Sequence, residues 1–368
     1  MKIHFIGIGG IGVSALARYY LAKGHAVSGS DLVSSEITDG LKKIGAEILI
    51  GKEDIESLAE KFDLTIYSPA VKIQNRPSNF LSYPEALGKL TKKYFTIAVS
   101  GTHGKSTTTS MLGLLLVKAG LDPTVIVGTK LKEFGDSNCR MGKSKYLVIE
   151  ADEHMASFLN YWPKIIVLTT VEEDHLDYYK NLNNILKTFK KYISHLPQDG
   201  VLIASKDDGN TSKIVGRGRT SAEYYSLKQR EARKLKKIMK IPGEHNVQNA
   251  LAALTVARIL KIPDKVSFKA LSEYRGSWRR FEIIRADLHG LERGLTQKIT
   301  IISDYGHHPT EVKVTLRTVR EKYPNKKIWC VFQPHQYQRT FYLFKNFIDV
   351  LKSAPIDKII ITDIYDVA

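Results

Sequence analysis

Cysteine is scarce in this chain, and long apolar runs are absent. The 368 residues include two cysteines, Cys139 and Cys330, which have no CxxC or Cys/His spacing near them. This pattern gives no sign of a disulfide framework or a cysteine-ligated zinc site, and it predicts buried or incidental thiols. No apolar run approaches the roughly 20 residues that are needed to span a bilayer.

Targeting signals and sequence repeats are also missing. Strand-like residues Ile3–Ile6 stand directly before a glycine turn, without the cleavage pattern of a signal peptide. We therefore expect a cytoplasmic protein with no membrane insertion. The length and the 43% hydrophobic content predict two or three packed domains.

Acidic residues are outnumbered, since 55 lysines and arginines oppose 38 aspartates and glutamates, for a net charge of +17. The lysines are dispersed, and the densest run, Lys228–Lys240, has a helical pattern without interleaved aromatic residues. A solvated helix face is therefore expected, and no nucleic-acid partner. Small anionic substrates could account for part of the excess charge.

Strand and helix signals alternate along the chain, which predicts consecutive α/β domains. The first starts with a strand at Lys2–Ile6, a glycine turn at residues 7–12 and a helix to about Lys23. A second strand, His25–Gly29, leads to Asp31, where a dinucleotide-binding fold places its ribose-binding acid. The glycine turn recognises a pyrophosphate, so this pattern leaves NAD and another diphosphate ligand equally open.

A third strand signal, Leu64–Tyr67, is followed by Ser68-Pro69-Ala70 and later by a connecting stretch from Tyr83 to Lys93. We place the first domain boundary near Tyr94. The expected domains are 1–93, 94–284 and 285–368.

A phosphate-binding loop follows the apolar run Tyr94–Val99. The sequence SGTHGKSTTT at 100–109 predicts a turn and a helix that continues to about Lys118. Backbone N–H groups can hold a polyphosphate there, Lys105 can reach its outer phosphates, and a hydroxyl can ligate magnesium. The standard GxxxxGK[ST] spacing has glycine where this chain has Val99. The loop predicts ATP, and the alternative is an ordinary lysine at a helix start.

Acidic clusters follow two further strands. The strand Tyr146–Ile149 ends in Glu150-Ala151-Asp152-Glu153, and the strand Ile165–Thr169 leads into residues 172–177, EEDHLD. Carboxylates at strand ends beside a phosphate loop are placed to hold magnesium. Each cluster alone is more readily explained by a solvated turn and a structural histidine, but their shared position after successive strands favours a metal site.

Polar residues also mark the start of the helix that opens at Pro242. Asn246 and Asn249 are three positions apart and share one face. Their amides suit the edge of an adenine, although a capped helix start with solvent-facing amides is the simpler interpretation without further context. The cationic turn Tyr274–Glu282 suits either a phosphate or a carboxylate.

The last segment alternates again. Strand Ile299–Ser303 precedes DYGHHPTEV at 304–312, with Pro309 at a helix start, and strand Ile328–Phe332 precedes QPHQYQRT at 333–340. These loops concentrate histidine, tyrosine and arginine where α/β domains bind ligands.

Together these segments resemble the Mur ligases from residue 1 to 368, and within them the UDP-N-acetylmuramate:L-alanine ligase (MurC) family. Eight motifs occur in the family's order, which makes the resemblance highly specific. They are GIGGIG at 7–12, GTHGKSTTT at 101–109, EADE at 150–153, EEDHLD at 172–177, GEHNVQNALAA at 243–253, RGSWRRFE at 275–282, DYGHHPTEV at 304–312 and QPHQYQRT at 333–340.

The resemblance implies three domains: one for the UDP part of the substrate, a central ATPase, and a Rossmann-like C-terminal domain that closes over the site. It replaces the NAD interpretation of the glycine turn. It also implies ATP and Mg²⁺ as cofactors and UDP-N-acetylmuramate and L-alanine as small-molecule substrates, joined through an acyl phosphate.

The family's functional residues map onto this sequence position by position. Catalytic roles are implied for Lys105, Glu150 and His175, and metal binding for Ser106, Glu150 and His175. ATP binding is implied for Gly101, Thr102, His103, Gly104, Lys105, Ser106, Thr107, His245, Asn246, Asn249, Arg280 and Asp304. Substrate binding is implied for Gly9, Gly10, Ile11, Gly12, Asp31, Ser68, Tyr305, His335 and Arg339.

Two departures from the family pattern carry expectations of their own. Thr170 stands where the family has asparagine, and we expect a tuned site there. The sequence ends at Ala368, earlier than family members do, which predicts a truncated C-terminal domain with an uncovered sheet edge and core face.

Three alternatives remain at this point. The first is the related ligase that attaches a whole tripeptide to UDP-N-acetylmuramate, although that family does not normally carry QPHxYxRT. The second is a protein that binds ATP or a UDP-sugar without ligase activity, and the third is an NAD-dependent oxidoreductase.

Overall fold

Two large, mostly parallel sheets organise the chain, and the computed structural model describes residues 1–55, 57–215, 221–289 and 296–366. The strands of the first sheet are β1 Lys2–Ile6, β2 Ala26–Asp31, β3 Glu47–Ile50, β4 Leu64–Tyr67 and β5 Phe80–Ser82. They are all parallel, in the order β3-β2-β1-β4-β5. The accompanying helices are α1 Ile11–Ala22, α2 Glu36–Lys43, α3 Leu58–Lys61 and α4 Tyr83–Thr91.

Central strand β1 is buried because parallel sheets are covered on both faces. Ile3 and Phe5 on this strand have no exposed surface. Gly7 then takes a φ of +74°, which is accessible to glycine at little cost, and turns the chain from β1 into α1. The first sheet thus presents a glycine turn at the carboxyl end of its middle strand.

The second sheet has seven strands. They are β6 Phe95–Ser100, β7 Thr124–Leu131, β8 Ser137–Arg140, β9 Tyr146–Glu150, β10 Ile165–Leu168, β11 Val201–Ser205 and β12 Ser221–Tyr225. The order is β12-β11-β10-β6-β9-β7-β8, and only β8 is antiparallel to its neighbour. Strands β6, β9 and β10 lie side by side, so the loops that follow them meet at one edge of the sheet.

Helices cover both faces of this sheet. They are α5 Lys105–Lys118, α6 Leu176–Tyr179, α7 Leu182–Ile193, α8 Gly209–Val215, α9 Arg230–Ile238, α10 Glu244–Ile259 and α11 Asp264–Glu273, with 3₁₀ turns at Lys132–Phe134 and His154–Asn160. Helix α9 buries only Ala232 and Leu235, so its basic side chains face solvent as the sequence predicts.

The C-terminal unit contains two strand pairs. β13 Glu282–His289 pairs with β14 Thr296–Ser303 in antiparallel fashion, and β15 Trp329–Phe332 pairs with β16 Lys358–Ile361 in parallel fashion. Its helices are α12 Pro309–Lys322, α13 Tyr337–Tyr342 and α14 Phe344–Lys352. The outer side of the β15–β16 pair leaves Trp329 and Val331 exposed.

The N-terminal and central units share an apolar core, whereas the C-terminal unit has its own. One cluster joins Phe5 and Leu16 of the first unit to Ile149 and Phe189 of the second. At the same junction, Asn138 Nδ2 donates to Ile11 O and to Ser14 Oγ, at 2.6 and 2.9 Å. The C-terminal core consists of buried residues from that unit alone, namely Val312, Leu316, Phe332, Leu343 and Phe347.

The predicted α/β class is confirmed, with differences at the ends of elements. Strand β2 runs two residues beyond its predicted end at Gly29, and β14 begins at Thr296 instead of Ile299. The connecting stretch after Tyr83 is mostly helix α4. Its start is capped by Ser82, whose backbone N–H and hydroxyl both donate to Glu85.

The two cysteines are unpaired in the structure, as their spacing in the sequence predicts. Cys139 is buried, Cys330 is partly buried, and both are free thiols. Within the described part of the chain, no helix combines the length and apolarity that crossing a bilayer requires.

Helix α5 connects the phosphate loop to the core, so its packing can be tested. Replacing the fully buried Leu115 by alanine should lower the free energy of unfolding by about 2 to 5 kcal/mol, because it removes apolar contacts and leaves a cavity. Lys118→Ala on the same helix is the control. Lys118 forms an exposed ion pair with Glu273, and its loss should cost about 1 kcal/mol or less in denaturant titrations.

Candidate functional site

A cavity of about 720 Å³ lies where the three units meet. It is bounded by the glycine turn of the first sheet, the loops that follow β6, β9 and β10, and two loops of the C-terminal unit. Ligands of open α/β sheets bind at this edge because the carboxyl ends of the strands converge there.

The loop after β6 is shaped for a close approach to a ligand. Gly101 and Gly104 have φ values of +129° and +78°, and a Cβ at Gly104 would collide with the side-chain oxygen of Asn249. Val99 is fully buried within β6. The loop therefore begins at Gly101, which explains why no glycine is required at position 99.

Lys105 begins helix α5 with its ammonium group turned back into the loop. Its Nζ donates to Gly101 O at 2.7 Å and to the two carboxylate oxygens of Glu153 at 2.8 and 3.0 Å. Burial lowers the pKa of Lys105, but Glu153 and Asp152 outweigh that effect and raise it above its ordinary value. Burial raises the pKa of Glu153 to about 8, against the opposing attraction of Lys105. The site thus holds a charged lysine that donates to a buried acidic side chain.

Ser106 and Glu150 lie together, as the sequence predicts. Ser106 Oγ donates to Glu150 Oε1 at 2.9 Å, and Glu150 Oε2 accepts the N–H of Gly128 at 2.8 Å. Arg280 reaches the same hydroxyl from the far side of the cavity, with Nη2 to Oγ at 3.3 Å. A hydroxyl and a carboxylate are hard oxygen ligands of the kind that Mg²⁺ prefers.

His175 follows β10 in a left-handed conformation, with a φ of +50°, and its ring lies 4.4 Å from that of His154. Burial lowers the pKa of His175 to about 4, against the opposing effect of Asp174. The imidazole is therefore neutral near pH 7, which is the form that binds metals.

A second cluster joins the phosphate loop to the C-terminal unit. His103 Nδ1 lies 3.1 Å from Glu311 Oε1, and His103 Nε2 lies 3.4 Å from Glu172 Oε2. Among the described residues, His103, Glu172 and His308 are the one set of three close enough to share a metal ion. However, His308 Nδ1 already accepts the N–H of Thr310, and His308 Nε2 is 3.1 Å from Glu173 O. The cluster is therefore a hydrogen-bonded ion network between units.

Charge in this network is set by its two carboxylates. Burial by itself lowers the pKa of His103, but hydrogen bonds and attraction from Glu172 and Glu311 raise it to about 9. Correspondingly, His103 counteracts the effect of burial on Glu172 and holds the pKa of that carboxyl at about 2. His103 is thus a partly buried imidazolium at neutral pH.

Asn246 and Asn249 line the cavity, and Asn249 lies beside Gly104 of the phosphate loop; His245, Tyr225 and Tyr274 are also on the cavity wall. Both asparagines are buried, and Asn246 Nδ2 donates to Pro242 O at 2.6 Å. The interpretation of solvent-facing amides is therefore wrong. The φ of +99° at Gly243 and the approach of Asn249 to Gly104 draw this helix start inward.

The two C-terminal loops bring their predicted residues to the cavity. Asp304 accepts the N–H groups of Phe281 and Gly306, each at 2.8 Å, and so ties the loop to the cationic turn. Tyr305, His335 and Arg339 line the cavity. Tyr305 also lies under the Arg280 guanidinium, at 5.3 Å from the ring centre.

At the glycine turn, Gly10, Ile11, Gly12 and Ser68 line the cavity. The Asp31 carboxylate instead accepts the N–H of Gly9 at 2.8 Å. In this arrangement Asp31 supports the turn, and neither Gly9 nor Asp31 belongs to the cavity wall.

Four acidic residues in the site escaped the sequence assignment. Glu153 holds Lys105, Asp174 holds Arg339, and Glu172 and Glu311 hold His103. Each of the four lies in a motif that already supplied another predicted site residue, and that position was the sequence signal that could have identified it. Thr170, at the family's asparagine position, supports the loop by accepting N–H groups from Thr102 and His103.

Fold and site together define a protein with a phosphate loop at the centre, a glycine turn on one side and a third α/β unit on the other. Family models match in the same order: the Mur ligase family catalytic domain at 2–95, the Mur ligase middle domain at 99–257 and the Mur ligase glutamate ligase domain at 279–366.

Curated relatives extend the match over nearly the whole chain. The UDP-N-acetylmuramate–L-alanine ligase of Caldanaerobacter subterraneus is 38% identical over 99% of this chain and 83% of its own length. The enzyme of the same name from Aquifex aeolicus is 39% identical over 99% of this chain and 84% of its own length. This chain belongs to the Mur ligase family, whose members are ATP-dependent ligases.

Solved structures of Mur ligases share the fold of this chain. The chain is similar to UDP-N-acetylmuramate-alanine ligase MurC of Thermotoga maritima, with a TM-score of 0.78, 29% identity, and coverage of 99% of this chain and 86% of that one. A murein peptide ligase from Psychrobacter arcticus shares the fold, with a TM-score of 0.72, 23% identity, and coverage of 99% and 91%.

The His103 network makes part of the stability depend on pH. Because folding raises the pKa of His103 from its ordinary 6.5 to about 9, its contribution is complete below pH 6.5 and is lost as the pH rises through 9. The stability difference between the wild type and His103→Gln should therefore shrink by on the order of 3 kcal/mol between pH 6 and pH 9.5. Urea titrations measure this, and a difference that is constant with pH would show that His103 is not charged.

Proposed function

We propose that this chain joins L-alanine to UDP-N-acetylmuramate at the expense of ATP, in the synthesis of peptidoglycan precursors. Support comes from relatives of that name at 38% and 39% identity over 99% of the chain. The observation that carries the proposal is the convergence of the phosphate loop, the glycine turn and the Arg339 loop on one cavity.

The residues around the phosphate loop suit ATP. We assign the backbone of residues 101–104, with Ser106 and Thr107, to the phosphates, and we assign Lys105 to the outer ones. His245, Asn246 and Asn249 lie at the adenine end, where buried amides can pair with a base edge. Arg280 and Asp304 bring the C-terminal unit onto the nucleotide.

The UDP-sugar belongs at the other end of the cavity. Gly10, Ile11, Gly12 and Ser68 lie on its wall, with Gly9 and Asp31 behind them. A Cβ at Gly12 would stand 2.9 Å from the ring of Tyr83, so glycine leaves room for that ring beside the turn. We place the diphosphate against this turn and direct the sugar toward Glu150.

In the proposed reaction, the lactyl carboxylate of UDP-N-acetylmuramate attacks the γ-phosphorus of ATP, and the bond to ADP breaks. The amine of L-alanine then attacks the acyl carbon and loses a proton, and inorganic phosphate leaves. Both steps require charge neutralisation and in-line positioning more than covalent help from the protein. Lys105 and Arg280 provide cationic groups, and Tyr305, His335 and Arg339 hold the amino acid.

Divalent cations fit the donor set on the phosphate side. Ser106 and Glu150 already lie within 2.9 Å of each other, and we assign them one Mg²⁺. We assign His175, as a neutral imidazole, to a second ion. Bound Mg²⁺ would neutralise charge on the transferring phosphoryl group.

The three parts of this proposal correspond to three units. We propose 1–93 as the UDP-substrate domain, 94–284 as the ATP-binding domain and 285–368 as the ligase domain. The cationic turn that contains Arg280 then stands at the junction of the second and third units.

Coupled turnover tests the function. Phosphate release should require both UDP-N-acetylmuramate and L-alanine, and Lys105→Ala should lower kcat/KM by at least about 100-fold through loss of phosphoryl stabilisation. Lys118→Ala, on the same helix but exposed, is the control. Preference for the L-alanyl-γ-D-glutamyl-diamino acid tripeptide would favour the recycling ligase, and nucleotide affinity without turnover would favour a binding protein.

The phosphate loop offers a second test. Gly104→Ala should weaken ATP binding by at least about tenfold, because a side chain at φ +78° costs about 1 to 2 kcal/mol and its Cβ collides with Asn249. Gly135→Ala has a similar φ of +75° but open space around the Cβ, so it is the matched control. Calorimetric titration with ATP compares the two, and equal affinities would contradict the assignment of this loop.

A further inference from the structure

A buried ion pair connects the predicted amino-acid site to the loop that carries His175. Arg339 Nε donates to Asp174 Oδ1 at 2.9 Å, and Arg339 Nη2 lies 3.4 Å from Asp174 Oδ2. Both side chains are at least 93% buried. The pair joins residues 165 positions apart, one in the central unit and one in the C-terminal unit.

This pairing uses one edge of the guanidinium and leaves the other for a ligand. Arg339 Nη1 donates once more, to His335 O at 3.3 Å. Of the five N–H groups of an arginine, these contacts use three, and one on Nη1 and one on Nη2 remain for a ligand. Two parallel N–H groups are what a carboxylate binds best, and Arg339 lies on the cavity wall.

Asp174 also has a fixed relation to His175. Its Oδ1 accepts the backbone N–H of His175 at 2.8 Å, next to the contact from Arg339. Both carboxylate oxygens therefore have partners within the protein. Its geometry suits orientation rather than chemistry.

The neighbours of Asp174 dock against the same C-terminal unit. Thr310 Oγ1 donates to Glu172 Oε2 at 2.7 Å, and His308 Nε2 lies 3.1 Å from Glu173 O. Three consecutive residues, Glu172 to Asp174, thus each meet the C-terminal unit directly before His175. Movement of that unit must disturb this loop.

We propose that Asp174 is a positioning residue that aims Arg339 at the carboxylate of the incoming amino acid and links docking of the C-terminal unit to the orientation of His175. The inference rests on the proposed function, because that function supplies the amino acid. Without the Asp174 carboxylate, Arg339 would keep its charge but would lose the hydrogen-bonding partner that fixes the plane of its guanidinium.

The first test replaces Asp174 by asparagine. Asparagine still offers one oxygen to Arg339 Nε, but its amide donors face Nη2 and push the guanidinium out of plane. We expect the KM for L-alanine to rise about 10- to 100-fold, the loss expected for one well-placed charged hydrogen bond, with the KM for ATP changed less than about twofold. Asp349→Asn, at an exposed position on helix α14 of the same C-terminal unit, should change neither.

A second measurement separates positioning from general damage. L-alaninamide lacks the carboxylate, so it does not profit from a well-aimed Arg339. The ratio of kcat/KM for L-alanine over L-alaninamide should fall about tenfold or more in Asp174→Asn and in Arg339→Lys, and should stay at the wild-type value in Asp349→Asn. Asp174→Glu, which keeps the charge, should recover part of the ratio.

This test remains valid even if the variants are unstable. The ratio of kcat/KM for L-alanine over L-alaninamide does not depend on how much of the enzyme is folded. A wild-type ratio in Asp174→Asn would overturn the inference, as would an equal rise in the KM values for ATP and L-alanine. If the wild type releases no phosphate in response to L-alanine, the proposed function itself fails, and the two failures are thereby distinguished.

Discussion

The C-terminal unit is placed over the phosphate loop by charged and polar contacts, because the apolar core formed by its described residues is separate from the core of the other two units. The contacts that connect it to the central unit include His103 with Glu311 and Arg339 with Asp174. These side chains also line the cavity. Docking of the unit and assembly of the site are therefore one structural event, and neither can be altered without the other.

By contrast, the first two units form a rigid platform. Their shared apolar cluster and the Asn138 hydrogen bonds fix the glycine turn relative to the phosphate loop. Close-packed interiors resist deformation, whereas polar junctions can separate into water at low cost. The shared core thus fixes the spacing between the glycine turn and the phosphate loop, whereas the third unit is joined to them through polar contacts.

Local features of this architecture could be predicted from the sequence. Strand β1, strand β4 and helix α5 follow from apolar runs and glycine turns, because these signals act over a few residues. Helix α4 was missed although Ser82 and Glu85 form a capping box at its start. The long-range partners could not be predicted, since nothing near Lys105 or Arg339 in the sequence specifies Glu153 or Asp174. Burial of Asn249 likewise depends on its approach to Gly104 from a distant helix.

The contact between Glu153 and Lys105 limits which anions the phosphate loop can bind. A lysine with a carboxylate already at 2.8 Å gains little from a weak, singly charged anion, since one ion pair would merely replace another. A polyphosphate that also engages the backbone N–H groups makes the exchange favourable through its additional contacts. Glu153 thus competes with any ligand for Lys105, so a ligand that displaces it must supply further contacts along the loop.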